Sequence, residues 1–362
     1  MRVLLAGGGT TGHVAPLLAL ADRLTRRDPG TRVLVLGTAS GVEARLVPAR
    51  GYPLATVDRV PAPRRLSLQG FALPARLARA VGQAGAAVAR HRAEVVVGFG
   101  GYVATPAYLA ARRAGVPIVV HEQNAVPGLA NRLGARLTPY VGVTFPGTPL
   151  PHAVLVGMPL RGEITGLDRL ALRAQARRTL GLHPDLPTVF VTGGSSGAAH
   201  LNAVTAAAAG AFARAGIQVL HMTGVGKRVD VTPAPGAPPY VVVDYLDRME
   251  LGYAAADLLV ARAGAGTVCE AAALGLPAVY VPLPIGNGEQ RRNAEHVVAA
   301  GGGVLVADAD LDTARLVAEV QGLLTDPTRL AAMGAAAAAV GRRDGDERLA
   351  DLVEAAVSVG RR

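Results

Sequence analysis

Residues Arg262–Glu270 combine the side chains and the backbone freedom that a nucleotide site needs. They follow the apolar run Leu258–Val260, so they are expected at the carboxyl end of a strand. Gly264 and Gly266 expose backbone N–H groups at a predicted helix start, where a diphosphate binds favourably. Glu270 lies about one helical turn further on, and its two carboxylate oxygens suit both hydroxyls of a ribose. The segment predicts a nucleotide pocket; a helix with a buried or paired glutamate is the structural alternative.

Glycine-rich segments follow apolar runs at three other places, residues 6–13, 98–102 and 192–198. Glycine lets a ligand approach the backbone closely, and the N–H groups of such turns and of the helices after them attract anions. In doubly wound sheets, ligands bind beyond the carboxyl ends of the strands. We therefore predict that these turns line a ligand site and contact phosphate, whereas tight packing alone is the alternative reading of any single turn.

The first of these turns also matches a motif of a different enzyme class. Gly7, Gly9 and Gly12 satisfy the G-x-G-x-x-G pattern of dinucleotide-binding dehydrogenases. Such sites place an acid about 20 residues on, at the end of the second strand, to bind the ribose. The second strand here ends in residues 37–39, which carry no acid, and Glu43 lies too far out. The sequence does not support a nicotinamide-dependent dehydrogenase.

Two segments carry candidate proton acceptors. His121–Asn124 follows the apolar run Ile118–Val120, so four polar side chains are expected to emerge together at the end of a strand. His13, after the first glycine turn, is either a helix-start side chain or a base in the ligand site. A zinc site at His121 and Glu122 would need the His-Glu-x-x-His spacing, which is absent.

The remaining polar groups divide between sugar contacts and structural roles. Loop residues 282–290 follow the predicted strand 278–281 and carry amides and an acid that suit sugar hydroxyls. We interpret the acidic clusters 308–312 and 344–346 as helix caps rather than metal ligands, because neither is expected to adjoin the ligand edge of a sheet. Cys269 lacks a base partner and is predicted to be a core residue rather than a nucleophile. We expect no metal and no cofactor.

The elements that position these residues alternate along the chain. Short β-branched runs alternate with helical patterns, and after Gly157–Pro159 the same alternation starts again. This predicts two parallel, doubly wound α/β domains in series, residues 1–160 and 161–340. We also expect a helix in 341–362 that packs back towards the first domain. The main helical patterns are at 15–26, 75–90, 105–114 and 198–215, and Asp312 and Asp326 are predicted N-caps.

Length and composition exclude several classes of protein. A chain of 362 residues, 50% hydrophobic and 18% charged, is long enough for two domains and unlike a disordered chain. The single cysteine cannot form an internal disulfide, and the first residues lack the apolar region of a signal peptide. No apolar run reaches the ~20 residues that cross a bilayer. We expect a globular protein of the cytoplasm.

The net charge of +10 is unevenly distributed. Residues 1–160 hold 18 arginines and 6 acids, whereas residues 161–362 hold 19 basic and 21 acidic residues. The excess positive charge therefore lies in the first half, which predicts an anionic partner there: a phosphorylated substrate, an anionic membrane leaflet or nucleic acid. Nucleic acid is the least supported of these, because an aromatic content of 4% leaves little surface for base stacking.

Residues 64–79 interleave arginines with large apolar side chains. The arginines would bind anionic head groups while Leu66, Leu68, Phe71 and Leu73 enter the bilayer surface. An ordinary amphipathic helix with a charged solvent face is the structural alternative.

Together these motifs resemble the MurG family, the N-acetylglucosaminyltransferases that complete lipid II in peptidoglycan synthesis, and the chain looks closest to actinobacterial members. Each motif alone is weak, but the series is specific because it occurs in the family's order across nearly the whole chain. The matching segments are 7–13, 98–102, 121–124, 157–161, 193–198, 245–249, 262–270 and 286–294. The resemblance implies a GT-B fold, two Rossmann-like, doubly wound parallel-sheet domains facing across a cleft.

The resemblance implies that UDP-GlcNAc is bound mainly by the second domain. Glu270 would hold the ribose, the backbone near Leu246 would contact uracil, and Ser195 would meet the diphosphate. Gln290, with Glu289 beside it, would bind the sugar hydroxyls. The full set of implied donor contacts is Thr10, Thr11, Gly12, Asn124, Arg161, Ser195, Leu246, Ala265, Gly266, Thr267, Val268, Cys269, Glu270, Glu289 and Gln290.

For the acceptor, the resemblance implies undecaprenyl-pyrophosphoryl-MurNAc-pentapeptide, known as lipid I, bound by the basic first domain. The implied contacts of its pyrophosphate are Gly9, Gly100, Gly101 and Tyr102. The implied reaction is a direct displacement with inversion at the anomeric carbon and without an essential metal. His13 is the first candidate for the base and Glu122 the second.

Thr11, Ser196 and Gly266 depart from the usual family pattern. Two alternatives therefore stay open: a paralogous GT-B glycosyltransferase with a different acceptor, and a non-catalytic scaffold that binds UDP-sugars. The resemblance further implies a peripheral protein on the cytoplasmic face of the cell membrane, with cell-wall or division proteins as candidate partners.

Overall fold

Strands and helices alternate through the computed structural model of the chain, which describes residues 1–60 and 73–360. The described strands are β1 (Arg2–Ala6), β2 (Arg32–Gly37), β3 (Leu54–Thr56), β4 (Val95–Gly98), β5 (Ile118–Glu122), β6 (Val141–Val143), β7 (Ala153–Leu155), β8 (Thr188–Thr192), β9 (Gln218–Met222), β10 (Tyr240–Val243), β11 (Leu258–Ala261), β12 (Ala278–Tyr280) and β13 (Gly303–Leu305). The described helices are α1 (Thr11–Arg27), α2 (Glu43–Ala49), α3 (Leu73–His91), α4 (Gly101–Arg113), α5 (Leu129–Gly134), α6 (Gly162–Thr165), α7 (Arg169–Thr179), α8 (Ala199–Ala207), α9 (Ala209–Arg214), α10 (Met249–Ala255), α11 (Ala265–Ala273), α12 (Glu289–Ala299), α13 (Thr313–Leu324), α14 (Pro327–Val340) and α15 (Gly345–Gly360).

The chain divides into two compact units. Unit 1 is Met1–Arg161 together with Arg343–Arg362, and unit 2 is Gly162–Arg342. The strands of unit 1 form one parallel sheet in the order β3-β2-β1-β4-β5-β6-β7, and those of unit 2 form another in the order β10-β9-β8-β11-β12-β13. In each sheet the order reverses beside the unit's first strand, which is where doubly wound folds bind ligands. The predicted pair of doubly wound, parallel α/β units is confirmed.

The sheet of unit 1 is covered on both faces, because successive strand residues point to opposite sides. Leu4 packs with the α3 and α4 side chains in one apolar cluster. Val3 and Leu5 pack in the other with Leu17 of α1 and with Val353 of α15. The burial of both faces explains why β1, β4 and β5 are apolar almost without interruption.

The last helix, α15, is an integral part of unit 1. Its buried side chains Leu349, Ala350 and Val353 belong to the same cluster as α1. Asp346, 1% exposed, also binds the Arg23 guanidinium of α1 at 2.8 Å. The core of unit 1 is therefore completed by a segment that follows the whole of unit 2 in sequence.

Some helices begin earlier than the apolar periodicity predicts. α1 begins at Thr11 rather than at Ala15, and α4 begins at Gly101 rather than at Thr105. Periodicity marks the buried stripe of a helix, whereas α1 opens with Thr11, Gly12 and His13 and α4 opens with Gly101 and Tyr102, which do not belong to that stripe. His13 and Tyr102 therefore lie in the first turns of helices.

Other differences concern breaks and caps. The helical pattern at 198–215 forms two helices, α8 and α9, separated at Ala208. Asp312 and Asp326 cap α13 and α14 as predicted, since their carboxylates accept the N–H groups of Arg315 at 2.7 Å and Arg329 at 2.9 Å. Over residues 1–60 and 73–360, no helix is long and apolar enough to cross a membrane.

Candidate functional site

Two glycine turns of unit 1 pack against each other. β1 and β4 are neighbours that pair Ala6 with Gly98, so the turns after them meet at one edge of the sheet. Gly101 has a φ of +75°, and a Cβ there would lie 2.6 Å from the carbonyl oxygen of Gly8. Any side chain at position 101 would displace the first turn, so glycine is required by both the backbone angle and the close approach.

A buried carboxylate, that of Glu43 in α2, holds the first turn in place. It accepts the N–H of Gly9 at 2.9 Å, the N–H of Thr38 at 2.9 Å and the Thr38 hydroxyl at 2.7 Å. Burial opposes its ionisation, but these donors bring the pKa of Glu43 below its ordinary value. A Cβ at any of three glycines would clash with this side chain: Gly8, Gly37 and Gly41.

Sequence reasoning considered Glu43 only as a ribose ligand and therefore missed its role. The sequence contains a signal for this role, because the glycines near this acid leave room for its side chain to pack beneath a turn. Gly9 is a predicted contact of the acceptor pyrophosphate, but its N–H is donated to the Glu43 carboxylate.

His13 contacts the same turn. Its Nδ1 lies 2.9 Å from the Thr10 hydroxyl oxygen. Burial lowers the pKa of His13, against the opposing effects of the Glu43 charge and of the Gly8 carbonyl. The ring is therefore neutral at pH 7, as a general base must be before it takes a proton. A Cβ at Gly100 would lie 3.3 Å from its Nε2, so His13 borders both turns.

The prediction that His121, Glu122, Gln123 and Asn124 emerge together is wrong. β5 runs to Glu122, and the first three of these side chains are buried, whereas Asn124 is half-buried. The His121 ring nitrogens lie 3.0 Å from the Gly157 carbonyl oxygen and 3.1 Å from the Gln123 amide nitrogen. Burial lowers the pKa of His121 to about 4. The His121 ring and the Gln123 amide nitrogen thus find their partners inside the unit, whereas the side-chain oxygen of Gln123 is buried without one.

Glu122 fixes the loop that presents Asn124. Its carboxylate accepts the N–H of Asn124 at 2.9 Å, the N–H of Gly128 at 3.0 Å and the side-chain amide of Asn131 at 2.9 Å. Asn131 is itself buried and accepts the Tyr108 hydroxyl at 2.8 Å. Burial raises the pKa of Glu122 above its ordinary value. Neither Asn131 nor Tyr108 was predicted, because neither lies in a glycine turn or at a strand end.

A cavity of about 60 Å³ opens beside the first turn of unit 1. The Arg59 guanidinium lies 5.0 Å from the centroid of the Tyr102 ring at this cavity. The neighbouring Asp58 pairs with Arg79 at 2.9 Å, so a different arginine neutralises it. The lining residues are Gly8, Gly9, Thr38, Ser40, Arg59, Tyr102 and Val103.

Unit 2 brings its predicted donor segments to one edge of its sheet. β8, β11 and β12 are neighbours, and their carboxyl ends lead to the Ser195 turn, to Gly264 before α11 and to Gln290 in α12. A Cβ at Gly264 or at Gly266 would meet no atom within 4 Å, so this backbone faces open space. Ser195 and Ser196 are exposed in the turn after β8.

Glu270 is oriented by a residue that the sequence did not reveal. Its carboxylate accepts the hydroxyl of Tyr253, a fully buried side chain of α10, at 2.7 Å. The preceding residue of α10, Gly252, lies against Leu246, since a Cβ there would be 3.1 Å from the leucine side chain. α10 therefore links the predicted uracil and ribose contacts. No motif or spacing marks Tyr253 in the sequence.

The interpretation that the 308–312 cluster only caps helices is wrong for Asp308. Arg262 donates to the carbonyls of Val281 and Pro282, both at 3.1 Å, and also pairs with Asp308. Asp308 pairs in addition with His200 at 3.2 Å. This cluster ties the end of β11 to the end of β12, directly beside the turn that is predicted to bind the nucleotide.

The other predicted donor contacts of unit 2 differ in their burial and in their hydrogen bonds. Val268 is fully buried, so its side chain belongs to the core of unit 2. Cys269 is half-buried, and burial raises the pKa of its thiol, which stays protonated. The side-chain oxygen of Gln290 accepts the N–H of Leu283 at 3.0 Å and so anchors the loop between β12 and α12.

The membrane prediction falls largely outside the described residues. Leu66, Leu68 and Phe71 lie outside the described residues, whereas Leu73 is the first residue of α3 and is half-buried.

Across residues 1–60 and 73–360, no three His, Cys, Asp or Glu side chains are grouped so as to hold a metal ion.

Comparisons with known proteins agree with this architecture. Residues 3–142 match the glycosyltransferase family 28 N-terminal domain, and residues 188–349 match the family's C-terminal domain. The chain is 58% identical to the UDP-N-acetylglucosamine--N-acetylmuramyl-(pentapeptide) pyrophosphoryl-undecaprenol N-acetylglucosamine transferase of Nocardioides sp. (strain ATCC BAA-499 / JS614), over 98% of this chain and 97% of that protein.

Solved structures give the same result at the level of the fold. The crystal structure of Acinetobacter baumannii MurG superposes with a TM-score of 0.76 and 28% identity, covering 98% of this chain and 99% of that one. The glycosyltransferase of kitacinnamycin superposes with a TM-score of 0.70 at 19% identity, over 98% of this chain and 99% of that one, which shows a shared fold. The chain therefore belongs to the MurG family of glycosyltransferases, within family 28.

Proposed function

We propose that this chain transfers GlcNAc from UDP-GlcNAc to the muramoyl unit of lipid I, releasing UDP and forming lipid II. The observation that carries this proposal is the 58% identity, over 98% of the chain, to a relative named for that transfer. The 19% likeness to an enzyme of another pathway does not favour the alternative of a paralogue. A non-catalytic scaffold is not favoured either, because His13, Asn124 and Glu270 are all present.

Unit 2 is the donor side of this proposal. The N-terminal end of α11 faces open space at Gly264 and Gly266 and carries the partial positive charge that a diphosphate prefers. Glu270, held by Tyr253, accepts the ribose hydroxyls, and the turn at Ser195 lies on the neighbouring strand. Glu289 and Gln290 bind the sugar at the start of α12.

Unit 1 is the acceptor side. The cavity lies beside the first turn, and Arg59 gives it a positive charge. The Gly9 N–H is committed to Glu43, so the pyrophosphate depends on the α1 N-terminus, on Arg59 and on the α4 start at Gly101 and Tyr102.

The chemistry follows from the neutral ring of His13. As the acceptor oxygen forms its bond to the anomeric carbon, the ring takes the hydroxyl proton, and the bond from that carbon to UDP breaks with its electron pair leaving on the diphosphate. The α11 N-terminus stabilises this departing charge. Attack from the side opposite to UDP inverts the anomeric carbon. Glu122, which accepts hydrogen bonds from its own loop, positions Asn124 in this scheme.

The proposal is tested by following labelled GlcNAc from UDP-GlcNAc to a short-chain lipid I analogue, with and without EDTA. We expect transfer at the same rate in both conditions. Transfer to a soluble aglycone but not to the lipid would support the alternative of a paralogous glycosyltransferase with a different acceptor. Tight UDP binding without turnover would support the scaffold.

Arg59 gives a prediction for the acceptor side. Arg59→Ala should raise the KM for the lipid I analogue about tenfold, since it removes one charge-assisted contact of roughly 1.5 kcal/mol, and should leave the KM for UDP-GlcNAc unchanged. The control is Arg79→Ala, which removes a 73% exposed arginine that pairs with Asp58. Equal effects of the two variants would indicate a general charge effect and contradict a contact at Arg59.

We further propose peripheral binding to an anionic bilayer through the patch Leu66, Leu68, Phe71 and Leu73, on the cytoplasmic face of the cell membrane. The double variant Phe71→Asp, Leu73→Asp should release the protein from vesicles rich in phosphatidylglycerol, measured by co-sedimentation. Leu170→Asp in α7, which changes a leucine that is 66% exposed in unit 2, is the control. Undiminished sedimentation of the double variant would rule out this patch.

A further inference from the structure

Glu43 is a buried acid whose described partners are all neutral. The side chain is 0% exposed, and its partners are the N–H of Gly9 and the N–H and hydroxyl of Thr38. Burying a carboxylate without a cation is costly, and folds keep such groups where function or a specific architecture needs them. Here the architecture is specific, because Gly8, Gly37 and Gly41 leave the space that the carboxylate fills.

The turn that Glu43 holds is also the turn that His13 contacts. Glu43 accepts the N–H of Gly9, while the His13 ring bonds to the hydroxyl of the following residue, Thr10. The two side chains therefore hydrogen-bond to successive residues of one turn. The negative charge of Glu43 raises the proton affinity of the His13 ring across it.

Other charged groups near His13 lie on different elements. Gly100, which precedes α4, and Asn131 of α5 approach as neutral groups. Behind Asn131 lies the Glu122 carboxylate of β5, at 2.9 Å from the Asn131 amide. Arg59 faces Tyr102 at the cavity beside the same turn. Glu43 is the carboxylate that acts on the His13 ring directly through the turn.

We propose that Glu43 is a positioning residue for His13, which fixes the orientation of the ring and stabilises the imidazolium formed when His13 takes the proton of the acceptor hydroxyl. The proton moves from the acceptor oxygen to a ring nitrogen and later to solvent, and Glu43 stays ionised throughout. In catalytic triads, a carboxylate orients the histidine and stabilises its protonated form. Glu43 would have the same effect on His13 through a glycine turn. The inference rests on the proposed function, in which His13 is the base.

The test is Glu43→Gln, which keeps the shape and an acceptor oxygen but removes the charge. We expect kcat to fall about 10- to 100-fold, with the KM for UDP-GlcNAc unchanged. This is the range of loss when a group that orients a metal-binding histidine is removed, and we expect a similar loss for a group that orients a catalytic histidine. A base works only when neutral, so its rate falls as the pH drops through its pKa. Without the Glu43 charge that pKa is lower, and the acid limb of the kcat/KM profile should move to lower pH.

A matched control is Asp346→Asn, which removes another buried carboxylate of unit 1, the one that binds Arg23 at the far end of α1. This variant should lose thermal stability and keep the parental acid limb. Glu43→Asp retains the charge on a shorter side chain, so it should lower kcat and leave the acid limb in place.

The outcomes separate this inference from the function on which it rests. If the parent chain transfers no GlcNAc, the proposed function fails. If the parent transfers but Glu43→Gln keeps the parental acid limb, the inference about Glu43 is overturned. If Glu43→Gln does not fold, a Glu43→Asp variant with parental kcat overturns the inference, and one with reduced kcat and an unmoved acid limb supports it.

Discussion

His13→Asn is expected to lower kcat by about 10²–10⁴-fold, the usual contribution of a general base. Asparagine can keep a hydrogen bond to the turn but cannot take the acceptor proton at neutral pH. The donor and acceptor KM values should change little, because the proposed diphosphate and ribose contacts lie in unit 2 and Arg59 is untouched. Initial rates at saturating UDP-GlcNAc and lipid I analogue measure the effect.

The matched control is His152→Asn, the same change at an exposed position of unit 1. His152 has a φ of +58°, a backbone conformation that asparagine adopts readily, so this variant should fold normally and keep parental kcat. A His13→Asn variant within threefold of the parent would remove His13 as the base and turn attention to Glu122.

Glu270→Ala is expected to raise the KM for UDP-GlcNAc about 5- to 150-fold. Hydrogen bonds to a charged partner are worth roughly 1–3 kcal/mol, and each 1.4 kcal/mol is about tenfold in affinity. Tyr253→Phe should have a smaller effect in the same direction, because the carboxylate stays but loses the hydroxyl at 2.7 Å that orients it. The KM for the lipid I analogue should stay near parental in both variants.

Calorimetric titration with UDP checks this assignment without turnover. Glu295→Ala, a glutamate in α12 that is 49% exposed, is the control and should bind UDP as the parent does. Parental UDP affinity in Glu270→Ala would contradict the ribose contact, whatever the kinetics show.

The fold could be predicted because its signals are local and repeated. Apolar runs followed closely by glycines mark β1, β4, β8 and β11, and helical patterns alternate with the strands along the chain. The same runs located the site edges, since parallel strands bring their carboxyl ends to one side. The Arg262–Glu270 segment could be placed for this reason alone.

What could not be predicted are contacts between distant parts of the chain. Polar residues at the end of an apolar run look exposed, yet β5 continues through His121 and Glu122, which bond to Gly157 and Asn131 inside the unit. Tyr253 reaches Glu270 across 17 residues. Such partners depend on packing that neither periodicity nor motif order records.

The placement of α15 in unit 1 has a consequence for synthesis on the ribosome. Translation delivers residues 162–342, all of unit 2, before the segment that carries Leu349 and Val353 to the α1 face of unit 1. A nascent chain can thus hold a finished unit 2, the proposed donor side, while the unit that carries His13 still exposes part of its apolar core. Formation of α15 is therefore the step that closes the apolar core of this unit.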